Sequence, residues 1–167
     1  MPLWRIAVEA PTYAANDLSG AGAKITGGRW NSIGTPLIYS ATNIALATIE
    51  TVLHIRGGGL PFNRFLVRID VPDNVWAMRI VLDPLPGGWD AVPCGMTSRT
   101  MGDTWVASGS SALLLVPSVS VPDEYNVLIN PQHPDVAAIT ATTVKRCLLY
   151  TSPSPRDRTR SRMPSSA

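Results

Sequence analysis

Five positions in this chain carry side chains whose types and order suit one chemistry. Arg29 follows a glycine pair in Gly27-Gly28-Arg29-Trp30-Asn31, and Tyr39, Glu50, Ser118 and Asn126 come after it. Glycines let the backbone turn tightly and approach a ligand. A guanidinium then offers a planar fork of donors suited to a diphosphate or to ribose oxygens. Tyr39 adds an aromatic face, Glu50 a carboxylate, and Ser118 and Asn126 two neutral hydrogen-bonding groups. Together these are the parts needed to hold a dinucleotide and to stabilise a sugar cation as its base departs. None is specific alone. The glycine pair lacks the strand-turn-helix setting of a dinucleotide fingerprint and the Gly-Lys-Ser/Thr of a phosphate loop.

Each part also has an ordinary reading. Arg29 can stack on Trp30 or pair with an acid. Tyr39 can be a core tyrosine with a satisfied hydroxyl, or it can offer its ring to a nicotinamide or its hydroxyl to a phosphate. Ser118 and Asn126 are also common turn residues. Glu50 is set in an apolar helix, with Leu46 and Ala47 one turn before it and Leu53 and His54 one turn after. A carboxylate there needs a partner, either an arginine that ties the helix down or a ribose hydroxyl or developing oxocarbenium ion. His54 and His133 read as structural, because no nucleophile, base and orienter stand in a matched order.

Around these residues the pattern is that of an α+β fold, with many strands in mixed small sheets and few helices. The opening thirty residues are turn-rich, punctuated by Ser19-Gly20-Ala21-Gly22 and Gly27-Gly28. Residues 37–40 form a short strand with Leu37 and Tyr39 on one face and Ile38 and Ser40 on the other. Residues 43–55 form a helix capped by Thr42, with Ala45, Leu46, Ile49, Val52 and Leu53 at helical spacing and Gly57-Gly58-Gly59 as the stop. Further strands are expected at 65–71, 75–82, 112–116 running past Pro117 towards Val121, 126–130 and 137–144. A loop rich in Pro, Gly and Trp spans 83–95, and a short helix is expected at 102–108.

The chain has 167 residues, 45% of them hydrophobic, enough for one domain with a real core, placed at residues 1–146. Its charged fraction of 16% is low, against about a quarter in soluble proteins, so much of the surface is neutral or covered by a partner. The formal charge of +2 belongs to the end of the chain. Residues 1–146 carry ten Lys and Arg against eleven Asp and Glu, while Arg156, Arg158, Arg160 and Arg162 stand against Asp157 beyond them. A near-neutral body with only Lys24 and Lys145 as lysines lacks the basic footprint of a nucleic-acid binder, so no direct nucleic-acid contact is expected. Cys94 and Cys147 make neither a disulfide framework nor a metal site, since no Cys or His stands at ligand spacing from either. That usage, with no signal peptide and no membrane-spanning run, predicts a cytoplasmic protein. Residues 147–167 have a Ser/Pro/Arg composition that cannot bury a core, and they resemble translated adapter read-through. They are expected to be disordered, non-native and dispensable.

Several runs, in order, resemble the RES domain family, named for its arginine, glutamate and serine. They are Leu3-Trp4-Arg5-Ile6, Gly27-Gly28-Arg29-Trp30-Asn31, Leu37-Ile38-Tyr39-Ser40-Ala41, Ala45-Leu46-Ala47 leading to Glu50, Gly102-Asp103 with Trp105, Val116-Pro117-Ser118, and Asn126 to Pro131 with His133-Pro134. The resemblance covers residues 3 to about 146 and implies a fold similar to ADP-ribosyltransferases. It implies a toxin of a bacterial type II toxin-antitoxin system that cleaves NAD+ at the nicotinamide-ribose bond by hydrolysis or phosphorolysis. NAD+ is then a substrate, and no cofactor or metal is required. Transfer of ADP-ribose to a protein is the nearest alternative, and a non-catalytic partner-binding domain with a buried Arg-Glu pair is one of another class. The implied partner is an Xre-type helix-turn-helix antitoxin, with a homodimer within that complex as one assembly. By the same resemblance Arg29 and Glu50 are catalytic and Tyr39, Ser118 and Asn126 bind substrate, with Ser120 two residues beyond Ser118 on the same strand face. The family usually closes with Phe-Asp-x-Arg-Leu, and this chain departs from that pattern from Cys147 onward.

Overall fold

An apolar run broken only by Arg5, Pro2–Val8, forms strand β1 near the middle of a seven-stranded sheet. The computed structural model describes residues 1–54 and 63–147. After β1 come helix α1 (Ala21–Thr26), strand β2 (Ile38–Ala41), helix α2 (Ile44–His54) and strand β3 (Arg64–Asp70). They are followed by helix α3 (Asp73–Ala77), strand β4 (Ile80–Val81) and helix α4 (Met96–Ser108). Strands β5 (Leu113–Pro117) and β6 (Tyr125–Ile129), a 3-10 helix (Pro134–Ala138) and strand β7 (Thr140–Arg146) complete the order. The strands lie as β4-β5-β6-β2-β1-β3-β7, antiparallel except for the β4–β5 pair.

Side chains alternate across a strand, so register decides which residues share a face. Leu3, Ile38, Val67, Ile69, Leu113, Leu115, Val127 and Ile129 fill one face and form the main core, closed by Val75 of α3 and Val136 of the 3-10 helix. The opposite face carries Trp4, Tyr39, Ala41, Leu114, Val116, Asn126 and Leu128. There α4 packs Trp105 and Val106 onto Leu114, Val116 and Leu128, while α2 packs Leu46 and Ala47 near Ala41. Every expected site residue belongs to this second face or to the helix and turns packed on it.

The α+β class with few helices is what the structure shows, and its strands gather into one sheet where small sheets are expected from sequence. The turn-rich opening contains β1, whose neighbours β2 and β3 lie far along the chain. The strand expected at 75–82 is instead α3 followed by the two-residue β4, because Pro72 opens a helical turn that buries Val75. The helix expected at 102–108 begins at Met96, and its buried face is Ser98, Gly102, Trp105 and Val106, small or polar at its start and so silent in an apolar pattern. The strand expected at 137–144 opens as the 3-10 helix, with Pro134 in its first turn and His133 accepting the Asp135 N–H. Asn43, not Thr42, caps α2, its Oδ1 accepting the Leu46 N–H at 2.8 Å. The Gly57-Gly58-Gly59 stop and residues 148–167 lie outside the described residues, and the Cys147 N–H still donates to the Arg64 carbonyl at 2.7 Å.

Candidate active site

Glu50 sits on α2, half-buried, directly over the β5–β6 end of the second face. Asn126 of β6 pairs with both Ala41 and Val116, so its side chain rises between β2 and β5. Its Nδ2 donates to Glu50 Oε1 at 2.8 Å. Ser118, fully buried just after β5, donates from Oγ to the same carboxylate oxygen at 2.6 Å. The Ser118 oxygen also accepts the N–H groups of Ser120 and Val121 at 3.1 and 3.0 Å. A hydroxyl has one hydrogen and two lone pairs, so all of its capacity is used within the protein. Ser120 is exposed and enters only through its backbone. Ser118→Ala is therefore expected to leave two N–H donors without their acceptor and Glu50 with one donor fewer, at a cost of about 1–3 kcal/mol. Urea denaturation measures it; an unchanged midpoint would show that the turn re-satisfies itself.

The apolar face expected around Glu50 is narrower than helical spacing suggests. Leu46 and Ala47 are buried, whereas Ile49, Val52 and Leu53 are 40%, 50% and 61% exposed. The helix touches β1 and β2 along one edge and turns its other apolar stripe outward.

Arg29 belongs to a turn held from every side. Gly27 takes a left-handed backbone, φ 65°, while Gly28 is needed for closeness, since a Cβ there would strike the Tyr39 hydroxyl. That hydroxyl accepts the Trp30 N–H at 2.9 Å and donates to Asn31 Oδ1 at 2.8 Å. Burial pushes the Tyr39 hydroxyl well above the ordinary tyrosine range, the Trp30 hydrogen bond only partly opposing it, so it stays protonated and able to donate. Its hydrogen is spent on the turn. The buried Asn31 amide donates onward to the Ala23 and Thr35 carbonyls, each at 2.9 Å. From α4, Asp103 Oδ1 accepts the Ser32 N–H at 2.9 Å, and Gly102 lies against the Trp30 carbonyl so closely that a Cβ would overlap it.

Burial alone would raise the Asp103 carboxyl, but hydrogen bonds from the Ser32 hydroxyl, the Ser32 N–H and the Thr35 hydroxyl outweigh it and hold it below the usual aspartate range. A depressed carboxylate stabilises the fold above its unfolded pKa, and that stability is lost as pH falls through the lower folded value. Asp103→Asn is thus expected to lower the wild-type melting temperature at neutral pH and to flatten its decline below about pH 4. Parallel melting curves of the two proteins from neutral to acid pH check this; equal slopes would remove Asp103 from the acid response.

Arg29 itself donates from Nη1 to the Trp89 and Ala91 carbonyls, at 2.8 and 3.0 Å, and Trp89 stacks on Trp30 with ring centres 6.3 Å apart. The loop after β4 therefore folds back over the arginine turn. Arg29 and Glu50 make no ion pair with one another, so the buried pair of the partner-binding alternative is not formed by these residues. The two ends are anchored at Tyr39 and Asn126, which by register stand two residue steps apart along β2, about 7 Å. The structure thus brings Glu50, Ser118 and Asn126 into direct contact and holds Tyr39 two steps along the same face, bonded to the turn that carries Arg29. Among the described residues no group of three or more His, Cys, Asp or Glu is placed to hold a metal ion. Sequence reasoning missed four supports: Asn31 and Asp103, which stood inside quoted motifs, and Trp89 and Arg99, which no local pattern marks, Arg99 donating from α4 through Nε to the Gly28 carbonyl at 3.3 Å.

The RES domain family profile matches residues 2–151. A protein of Sphingobium sp. (strain YBL2) named "Prs ADP-ribosylating toxin" is 57% identical over 147 residues, covering 87% of this chain and 91% of that protein. A "Toxin Res" of Photorhabdus laumondii is 37% identical over 134 residues, covering 80% of this chain and 85% of its own length. One of Yersinia enterocolitica is 38% identical over 133 residues, with 80% and 86% covered. Among solved structures, the M. tuberculosis MbcT-MbcA toxin-antitoxin complex has a chain that matches with a TM-score of 0.58, covering 87% of this chain and 84% of that one. At 17% identity that likeness speaks for the fold alone.

Proposed function

Because the chain belongs to the RES domain family, we propose that it is the toxin of a bacterial toxin-antitoxin system and breaks the bond between nicotinamide and ribose in NAD+. The observation that carries this reading is Glu50, one of whose carboxylate oxygens is held by both Ser118 and Asn126. Nicotinamide bears a positive charge in NAD+ and leaves neutral: the C1′–N bond breaks with its electron pair going to the ring nitrogen. No strong acid is needed. Positive charge grows at C1′ of the ribose, and a carboxylate fixed in advance stabilises it without reorganising. Ser118 and Asn126 keep that carboxylate in place. Arg29 takes the diphosphate or the nicotinamide-side ribose, and the Tyr39 ring positions the nicotinamide, so orientation supplies the remaining share. An incoming oxygen then bonds to C1′ and releases its proton to solvent.

The test is nicotinamide release by purified protein freed of any partner, followed by chromatography. A folded protein that releases none would sink the reading. In the same assay Arg29→Lys is expected to lower turnover per unit NAD+ about tenfold to a hundredfold, since a compact ammonium cannot replace the fork that binds anion and loop carbonyls together. Undiminished turnover would remove Arg29 from the role.

Transfer of ADP-ribose to a protein side chain is the second reading, favoured by the name of the 57% identical relative. Labelled NAD+ separates the two, the label ending on protein in one case and on a free ribosyl product in the other. An enzyme that consumes NAD+ in its own cytoplasm has to be restrained. The stripe of Ile49, Val52 and Leu53 beside Glu50 suits an antitoxin of the Xre helix-turn-helix type that covers the site. Co-expression with the neighbouring reading frame checks it; a partner that binds yet leaves turnover unchanged would rule out occlusion.

A further inference from the structure

A second arginine approaches the Arg29 turn from α4. Arg99 donates from Nε to the Gly28 carbonyl at 3.3 Å, and its Nη2 lies 3.1 Å from Cys94 Sγ. Arg29, the next residue after Gly28, reaches the Trp89 and Ala91 carbonyls of the same loop that carries Cys94. Arg99 thus holds the carbonyl just before Arg29, both side chains bond to the loop over residues 83–95, and the groups that hold them are three carbonyls and a thiol. Neither makes an ion pair with a carboxylate among the described residues. The nearby Asp103 faces Ser32 instead.

Keeping two like charges together against neutral partners is unfavourable unless an anion joins them. The donors that remain, Nε and Nη2 of Arg29 and Nη1 of Arg99, are not among the buried polar atoms without partners, so they are open to an incoming group. Planar forks of this kind match phosphate oxygens two at a time. Glu50 stands at the other end of the same face, its anchor two strand steps from that of the arginine turn. We infer that Arg99 is a second anion-binding residue of the site, and that Arg29 and Arg99 together grip the diphosphate of the dinucleotide. The assignment rests on the NAD+ reading and deepens it by naming what holds the phosphates.

Binding without chemistry tests it. ADP and adenosine differ in the diphosphate alone, so calorimetry with each, on wild type, Arg99→Gln and Arg99→Lys, isolates the phosphate contact. In Arg99→Gln the dissociation constant for ADP should rise about tenfold to a hundredfold, as for loss of a charged hydrogen bond, while that for adenosine stays as in wild type. In Arg99→Lys the rise should be smaller, the charge being kept and the fork lost. Should the glutamine variant fail to fold, the lysine variant decides alone, and ADP affinity equal to wild type overturns the assignment. Equal losses for ADP and adenosine would also overturn it, showing that Arg99 merely braces the turn. A protein that binds ADP in this Arg99-dependent way but releases no nicotinamide from NAD+ keeps the subsite and loses the catalytic reading. One that cleaves NAD+ with ADP binding indifferent to Arg99 does the reverse.

Discussion

Glu50→Gln is expected to lower NAD+ cleavage by about a hundredfold to a thousandfold, the scale seen when one preorganised electrostatic contact to a transition state is removed. The amide keeps the shape of the carboxylate, and its oxygen can still accept from Ser118 Oγ and Asn126 Nδ2, now at 2.6 and 2.8 Å. Local packing should therefore survive. The negative charge opposite C1′ is what disappears. Melting temperature and ADP affinity are expected to stay near wild type, so that the loss falls on the chemical step rather than on binding. Nicotinamide release under saturating NAD+ is the measurement. A glutamine variant with turnover within a few-fold of wild type would assign charge stabilisation to some other group.

Gly102→Ala should be the most damaging Gly→Ala change among the described residues. Alanine is the better helix former by about 1 kcal/mol, so propensity alone predicts a gain. The added Cβ, however, would overlap the Trp30 carbonyl, a backbone atom of the turn that presents Arg29. Overpacking of this kind costs about 1–3 kcal/mol or more, which outweighs the gain. Either α4 retreats or the turn moves, and the contacts from Arg99 to Gly28 and from Asp103 to Ser32 go with it. A fall in melting temperature of roughly 4–10 °C is expected, together with a rise in the KM for NAD+. Gly87→Ala, in the loop before the helix with nothing within 4 Å of its Cβ position and no positive φ, is the control and should change little. Equal behaviour of the two variants would mean that the turn yields cheaply and that the close approach does not position Arg29.

Much of the site is legible without coordinates because its parts announce themselves locally. The glycine pair marks the arginine turn, alternation at residues 37–40 puts Tyr39 opposite Ile38, and helical spacing puts Glu50 above Leu46 and Ala47. These signals arise within a few residues, where propensity and periodicity act. The start of α4 sends no such signal. Its buried residues there are Ser98 and Gly102, small or polar, and Gly102 answers to the closeness of the Trp30 backbone rather than to apolar burial, so residues 96–101 show no apolar period. The outer stripe of α2 misleads in the opposite direction. Ile49, Val52 and Leu53 look like core in sequence and are exposed in the folded chain.

By itself the sequence determined which groups are available: one guanidinium in a tight turn, one tyrosine on a strand, one carboxylate on a helix, and a serine and an amide far downstream. Which of them meet was decided by tertiary structure. Ser118 and Asn126 lie 68 and 76 residues from Glu50, and they reach it because β5 and β6 pair antiparallel beside β2. Side chains alternate across a strand, so a slip of β6 by one residue against β2 would turn Asn126 to the opposite face and carry it away from the carboxylate. The tyrosine was settled in the same way. Its hydroxyl, free in sequence to serve a phosphate, is bound to Trp30 and Asn31 once the strand and the arginine turn are packed together. A buried donor takes the nearest acceptor that the fold supplies, and only the packed chain says which one that is.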